Sequence, residues 1–536
     1  MADDTAGGAQ GEQQGQQPEQ QPDQRGVRWL FADQLGPHFL DGTSQRAVLV
    51  ESTRVFARRT YHRRKAHLVL SAMRHRAAEL GERGVLVRAG TYREGLALAR
   101  EQLTDAERAA GLSVCDPTSR AARRFVRGLE GAEAVQVLPA RGWAVSEEQF
   151  AHWAGRKGQP GQPRLLMEDF YREVRKHHHL LLEGDGSPLG GTWNYDHDNR
   201  EPAPKVPTLA EAAGVAEPWW PREDDIDAQV REDLDRMVRD EGVTFVGEDG
   251  PRRFAVTRRE ALANLRHFLA HRLEAFGPYE DAMLAQDRWM AHSLMSVPLN
   301  LGLVHPVEVA ERAEAAHREQ GVRLASAEGF VRQVVGWREY VWHLYWHLGE
   351  DFERANELGA REPLPQWFTD LDADGEVRAA CLSDVLGTVR EEGWAHHIPR
   401  LMVLGGYALA RGWDPQELTA WFHTRFVDGY AWVMAANTIG MSQHADGGVV
   451  ATKPYWSGGA YVDRMSDYCK RCPYDPKKRL GEDACPFTGG YWAFTARHEE
   501  RLAANRRTSR AVSGLHRLSD ADAVVAQEAD RGSSAP

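Results

Sequence analysis

Residues 437–492 read NTIGMSQHADGGVVATKPYWSGGAYVDRMSDYCKRCPYDPKKRLGEDACPFTGGYW, and the rest of the chain is organised around them. Cys469 and Cys472 form a C-x2-C pair and Cys485 follows further on. Three thiolates of this kind need a fourth ligand to close a metal site. Cys381 is the only other cysteine in the C-terminal half and is taken as that ligand. Zinc and iron-sulfur clusters both accept four thiolates. Structural zinc usually pairs two C-x2-C knuckles, whereas one knuckle, a third cysteine and a distant fourth enclose a larger object, which favours a 4Fe-4S cluster. The polar, turn-rich surroundings argue against four unliganded core thiols. Lys470, Arg471, Lys477, Lys478 and Arg479 flank the knuckle, where they offset thiolate charge or contact phosphate.

Around this stretch, from about residue 256 to 500, the pattern is that of long helices without intervening β-like runs. Thr257 and Glu260 form a capping box, Leu262, Leu265, Phe268, Leu269 and Leu273 recur at helical spacing, and Gly277-Pro278 is expected to end that helix. Residues 142–255 are rich in loop signals such as GDGSPLGGTWNYDHDNREPAP and read as a long connector with short helices. His177, His178 and His179 read there as a polar helix face, because adjacent residues on a helix point apart. Residues 27–141 alternate VRWLFA, AVLVES, VLVRAG, LSVCDP and AVQVLPA with helical segments, the signature of a doubly wound α/β domain. Ligands of such sheets sit beyond the carboxyl ends of the strands, which draws attention to Asp33, Gln34 and Glu51. Cys115 lies in one run as a core residue. The segments 1–26 and 501–536 are expected to be a disordered and a mobile tail.

A chain of 536 residues exceeds what one hydrophobic core sustains. Its 42% hydrophobic and 27% charged composition is that of a globular protein, with no apolar run long enough to span a bilayer. Five cysteines and no secretion signal fit the cytoplasm. A net charge of -12 argues against nonspecific coating of nucleic acid while leaving room for a locally basic face, for which Arg54–Arg76 and Lys470–Arg479 are the candidates.

The runs GMSQHADGG and TKPYWSGGAYVDRMSDYCKRCPYDPKKRLGEDACPF closely resemble the iron-sulfur bacterial branch of the photolyase and cryptochrome superfamily. So do FADQLGPHF, YHRRKAHLVLSAMRH, MEDFYREVRK, PLGGTWNYDHDNR, FGPYEDAMLAQDRWMAHSLMSVPLNLGLVHP, EGFVRQVVGWREY and WAHHIPRLMVLGGYALARGWDP, so that the resemblance covers about residues 27–500. It implies an N-terminal α/β antenna domain, a connector and a C-terminal all-helical FAD-binding domain. It also implies a 4Fe-4S cluster on Cys381, Cys469, Cys472 and Cys485, and a lumazine-type antenna, 6,7-dimethyl-8-ribityllumazine, held near Asp33, Gln34 and Glu51. The activity implied is light-driven repair of (6-4) photoproducts in UV-damaged DNA by a soluble, monomeric DNA photolyase. A blue-light photoreceptor of the same fold, signalling by flavin redox state, is the alternative. An iron-sulfur protein that binds nucleic acid without photochemistry fits HSLMS and GWREY poorly.

Carried over by position, the FAD neighbours implied are Tyr279, His292, Ser293, Leu294, Ser296, Asn300, Gln333, Trp337, Arg338, Asp428, Met434, Asn437 and Met441. Ser293 and Ser296 would donate to the pyrophosphate and Arg338 would balance its charge. Asp428 would accept from the flavin ring. Met434 is a departure, since related proteins place Asn or an acid there and a thioether cannot exchange a proton with flavin N5. His397, helped by His396, would be the acid facing the lesion. Trp421 would begin the aromatic relay that reduces the flavin. Its expected second member is replaced by Ala373, leaving Trp367 or Trp342 as substitutes.

Overall fold

The computed structural model describes residues 26–129, 135–157 and 165–536. The expected N-terminal tail up to residue 25 and part of the connector's Gly/Pro-rich loop lie outside the described residues. All five β-like runs form strands of one parallel sheet. In spatial order they are Gly84–Ala89, Ala47–Ser52, Val27–Leu30, Leu112–Cys115 and Val135–Leu138. The order in which the chain adds its parallel strands reverses between Val27–Leu30 and Leu112–Cys115, which is the switch point of a doubly wound fold. Alternation assigns the two faces. Trp29, Val48, Val50 and Val114 pack beneath the helices Tyr92–Glu101 and Arg120–Arg127 in a core of their own. Leu30, Leu49 and Cys115 face the opposite way, with Leu68, Ala72 and Met73 of the helix Arg63–Leu80, and that core runs on without a break into the helical half. Cys115 is therefore a core residue, and the two halves share buried apolar surface.

Much of the basic segment Arg54–Arg76 proves to be seam rather than solvated surface. Arg64 pairs with Glu392 at 2.9 Å, Arg74 with Glu51 and Asp233, and Arg63 with Asp235 and Asp249. The connector contains, besides short helices, the 17-residue Asp225–Glu241, which packs on Arg63–Leu80. The triple histidine diverges as expected: His178 reaches the Ala144 carbonyl, while His179 leaves the helix with a left-handed φ of 56°.

After Val246 the described residues contain helices and isolated bridges but no further strand. Thr257 caps the helix Arg258–His271 through Glu260 N–H. That helix ends at His271, short of Gly277-Pro278. A separate helix, Leu273–Tyr279, then runs through the proline, because Arg272 leaves helical geometry and its guanidinium turns to the carbonyls of Ala216 and Met290. Three stretches, Arg332–Trp337, Pro399–Gly405 and Ala435–Ser442, are wound as wider π-helical turns.

The expectation of a mobile tail after residue 500 is corrected. Helix Ala521–Arg531 packs on Pro486–Arg497, with Val524 buried and Glu528 clamped by Arg411 at 2.8 Å and Arg531 at 3.3 Å. Beyond it the Trp367 indole N–H donates to the Ser533 carbonyl at 2.8 Å. Valine and a carboxylate at the inner positions give this Ser/Ala/Asp-rich segment something to bury, which its composition conceals.

Candidate active site

The four cysteines expected to act together line one cavity with Val462, Tyr468 and Phe487. Cys381 stands in the first turn of the helix Ala380–Glu392, and Cys485 is the residue on which the helix Pro486–Arg497 starts. Two helix N-termini therefore point their positive ends at these sulfurs, which favours thiolate. Cys469 lies in the turn Tyr468–Arg471, closed by the Cys472 N–H to the Cys469 carbonyl at 3.3 Å. Gly459 gives the site room: a Cβ there would lie 2.9 Å from the Cys485 sulfur. Burial, and then the neighbouring thiols, push Cys381 well above the usual thiol range, and burial pushes Cys469 up to about 12. Crowded thiols of this kind give up their protons to a bound cation, so the donor set fits a four-thiolate metal centre. Of the flanking cations, Lys478 and Arg479 are paired with Asp483 and Asp520, while Lys470, Arg471 and Lys477 are exposed.

The second assembly surrounds Asp428. Arg400 grips its carboxylate through two hydrogen bonds of 2.8 and 3.0 Å, and the Ser296 hydroxyl donates to it at 2.8 Å. Asn300 donates to the Asp428 carbonyl at 3.2 Å. From the α/β half, Lys65 reaches the carbonyls of Gly429 and His423 at 2.5 and 2.7 Å. Burial lowers its ammonium to about 7, against the pull of Asp428. Arg338 stacks over Trp143 at 4.1 Å and pairs with Glu339 at 2.8 Å, so its charge is already matched within the protein. Burial raises the Glu339 carboxyl to about 7, with Arg338 opposing.

Next to this assembly the rings of His292 and His396 stack at 4.4 Å, and His397 stands edge-on to His292 at 5.5 Å. Burial drives both His292 and His396 well below the usual histidine range, so both are neutral. His397 is half-exposed, with its Nε2 3.4 Å from Asp281. Burial alone would raise the Asp281 carboxyl, yet His397, Arg200 and Arg332 hold it below its ordinary value. Glu280 beside it is raised to about 7 by burial, against Arg332 and His397.

The remaining candidates lie on unusual backbone. Gln333 and Trp337 occupy one π-helical turn, Asn437 and Met441 another, and Arg400 the third, as wide turns at ligand sites often do. Leu294 is buried with φ 58°, a conformation that costs a branched residue about 1–2 kcal/mol. The Ser293 hydroxyl accepts from Met295 N–H at 3.3 Å, and Tyr279 closes the helix Leu273–Tyr279. Met434 is buried among the residues that pack with Trp421. His292 Nε2, His396 Nδ1, Trp432 Nε1 and Arg338 Nε are buried without a partner. A large polar heteroaromatic ligand satisfies such a set, and the residues fit FAD in that respect. Sequence reasoning missed Asp281, Glu280, Arg400 and Lys65. All four stand inside quoted motifs (FGPYED, HHIPR, YHRRK), and only the fold shows what they face.

At the switch point of the sheet, Thr118 donates to one oxygen of Asp33 while the other is buried without a partner, and burial raises this carboxyl. Gln34 is spent on the Cys115 carbonyl at 2.9 Å and Glu51 on Arg74. Trp421 and Trp367 share one aromatic core through Phe368. Trp342 belongs to another, stacked on Trp143 at 3.9 Å.

Comparison with known proteins matches residues 28–244 to a family model described as deoxyribodipyrimidine photo-lyase-related protein. A protein named (6-4) photolyase from Agrobacterium fabrum (strain C58 / ATCC 33970) is 36% identical over 513 residues, which is 92% of this chain and 95% of that protein. The uncharacterized protein R855 of Acanthamoeba polyphaga mimivirus is 42% identical over 57 residues, 11% of this chain and 46% of its own. The crystal structure of a bacterial class III photolyase from Agrobacterium tumefaciens superposes with a TM-score of 0.53 at 14% identity. The match covers 94% of this chain and 99% of that one and shows a common fold.

Proposed function

The chain belongs to the deoxyribodipyrimidine photolyase-related family, and from that premise we propose that it is a DNA photolyase that restores pyrimidines from (6-4) photoproducts in UV-damaged DNA. The observation that carries the reading is the histidine group, in which one half-exposed ring, His397, stands on Asp281 beside two buried neutral rings, His292 and His396. FAD held here in its reduced state would supply light-driven electron transfer to the lesion. The protein's part is positioning and proton supply. His397 is the side chain of this group that a flipped-out lesion reaches, and it donates the proton that the opening lesion needs. Asp281, kept ionised, fixes the orientation of that ring. His292 and His396, held neutral, keep the pocket wall free of a second charge. Arg400 and Ser296 fix the Asp428 carboxylate in one orientation toward the ligand.

Cys381, Cys469, Cys472 and Cys485 would hold a 4Fe-4S cluster, with a structural or electron-buffering role. Asp33 would be the carboxyl that binds a lumazine-type antenna at the switch point, since it alone of the three expected residues keeps an unpaired oxygen there. The decisive experiment incubates reduced, cluster-loaded protein with DNA carrying a single (6-4) lesion, illuminates with blue light and measures restored thymines. No light-dependent restoration would overturn the proposal. His397→Ala should lower the rate by about 10²–10⁴, the range of a lost general acid, while FAD stays bound. Equal repair by that variant would assign the acid elsewhere.

A further inference from the structure

A file of buried aromatic rings leads away from Asp428 and ends at the four cysteines. It begins at Phe426, whose ring lies 4.2 Å beneath the guanidinium of Arg400, the partner of Asp428. Trp421 follows at 5.8 Å, then Phe368 at 4.6 Å, Trp413 at 4.8 Å, Tyr407 at 5.6 Å and Phe487 at 5.6 Å. Phe487 lines the cysteine cavity. No ring in the file is more than 4% exposed, and all six belong to one core. A large aromatic core needs no function to explain it. What points further is that these contacts run unbroken between two sites and that the oxidisable rings Trp421 and Trp413 are separated by one phenylalanine, with Trp367, against Phe368, Tyr407 and Trp413, as a parallel branch.

We propose that this file carries single electrons from the four-cysteine centre to the flavin, an inference that rests on the function proposed above. At position 373, where the resemblance leads one to expect a second relay member, stands alanine, and Trp413 supplies a different continuation from Trp421. The electron balance is simple. Trp421 would give one electron to light-excited oxidised flavin and refill from Trp413, which the iron-sulfur centre would refill across the rings of Tyr407 and Phe487. An external one-electron donor restores the centre. No bond is made or broken and no proton travels along the file. The buried surroundings enforce that. The Trp421 indole N–H has no hydrogen-bond partner, so the oxidised ring keeps its proton and the positive charge moves on, whereas Tyr407, whose hydroxyl also lacks a proton acceptor, serves as a bridge and is not itself oxidised.

The test uses holoprotein with oxidised flavin and no added reductant. It is illuminated and frozen, and flavin absorbance and the iron-sulfur EPR signal are recorded together. In the wild type the EPR signal should change by one electron for each electron gained by flavin. Trp413→Phe made together with Trp367→Phe, which closes the parallel branch, keeps both rings in place but should slow flavin photoreduction severalfold and abolish the linked EPR change. Tyr407→Leu, which removes the bridging ring, should weaken that change severalfold with Trp413 intact. Trp456→Phe, in a separate aromatic group on Tyr491, should alter neither. Chemically pre-reduced Trp413→Phe should repair DNA as the wild type does. An EPR signal that stays constant while wild-type flavin is photoreduced overturns the proposal, as does wild-type coupling in both relay variants. Absence of repair by pre-reduced wild type counts against the photolyase reading instead and leaves the coupled signals to be judged on their own.

Discussion

In the cysteine lobe each proposed ligand sits where an element begins or turns: Cys381 and Cys485 at helix N-termini, Cys469 and Cys472 in one tight turn. The flavin side takes its residues from mid-element and from backbone under tension. These are three π-helical turns, a buried leucine at positive φ, and a carboxylate held by Arg400 and by the distant Ser296. The first site closes on itself through thiols. The second leaves buried nitrogens unpaired, and only a large ligand satisfies them. A metal centre can be specified by a few local residues because the ion organises them, whereas a cofactor pocket has to be held open by the fold.

The largest expected effect tests the first half of that contrast. Cys381→Ala removes the proposed ligand that arrives from a distant helix, and iron should fall to background. Structural metals contribute on the order of 10 kcal/mol to folding, so the lobe should melt well below the rest of the protein in calorimetry. Retention of iron would show that the site closes without Cys381.

On the flavin side the corresponding break is Asp428→Ala. It leaves Arg400, 16% exposed, facing a partner that was 6% exposed, and removing one member of a buried pair costs about 3–5 kcal/mol. Denaturant unfolding should show that loss together with release of FAD, while iron content stays unchanged. Loss of both cofactors would mean that the two sites are less separable than their construction suggests.

Acid should act on the same side. His292 and His396 have folded-state pKa values well below the ordinary 6.5, so below pH 6.5 the unfolded chain takes up protons that the folded chain refuses. Stability from this source is therefore complete above about pH 6.5 and falls as pH drops below it. Unfolding free energies measured between pH 7.5 and about 5.5 should show that slope, and His396→Asn should flatten it.

The two regions also differed in how far they could be read in advance. The five strands were legible because each is an apolar run with turn signals at its ends, and the four cysteines because a C-x2-C pair advertises itself. Asp428, Ser296 and Asn300 were named by resemblance and do meet. Arg400 and Lys65 were missed, since nothing local distinguishes an arginine that grips a carboxylate or a lysine that crosses the seam from their neighbours in HHIPR and YHRRK. Glu51 looked free at a strand end until Arg74 was seen to occupy it. Composition misled most in the last segment, where the docked helix Ala521–Arg531 owes its place to single residues such as Val524 and Glu528.

That docking supplies the smallest effect. Trp367→Phe keeps an aromatic ring against Phe368 and Trp413 but deletes the indole hydrogen bond to the Ser533 carbonyl. A single such bond is worth about 1 kcal/mol net, and the carbonyl regains water once the segment lifts, so the cost should stay near that figure. The contrast predicts where it is felt: the melting transition that tracks iron should fall slightly and proteolysis after residue 515 should quicken, while FAD retention stays as it was. Unaltered proteolysis would mean that Glu528, between Arg411 and Arg531, holds the segment unaided. A loss of FAD would tie Trp367 to the flavin side, where its ring contacts, through Phe368 to Trp421, already lead.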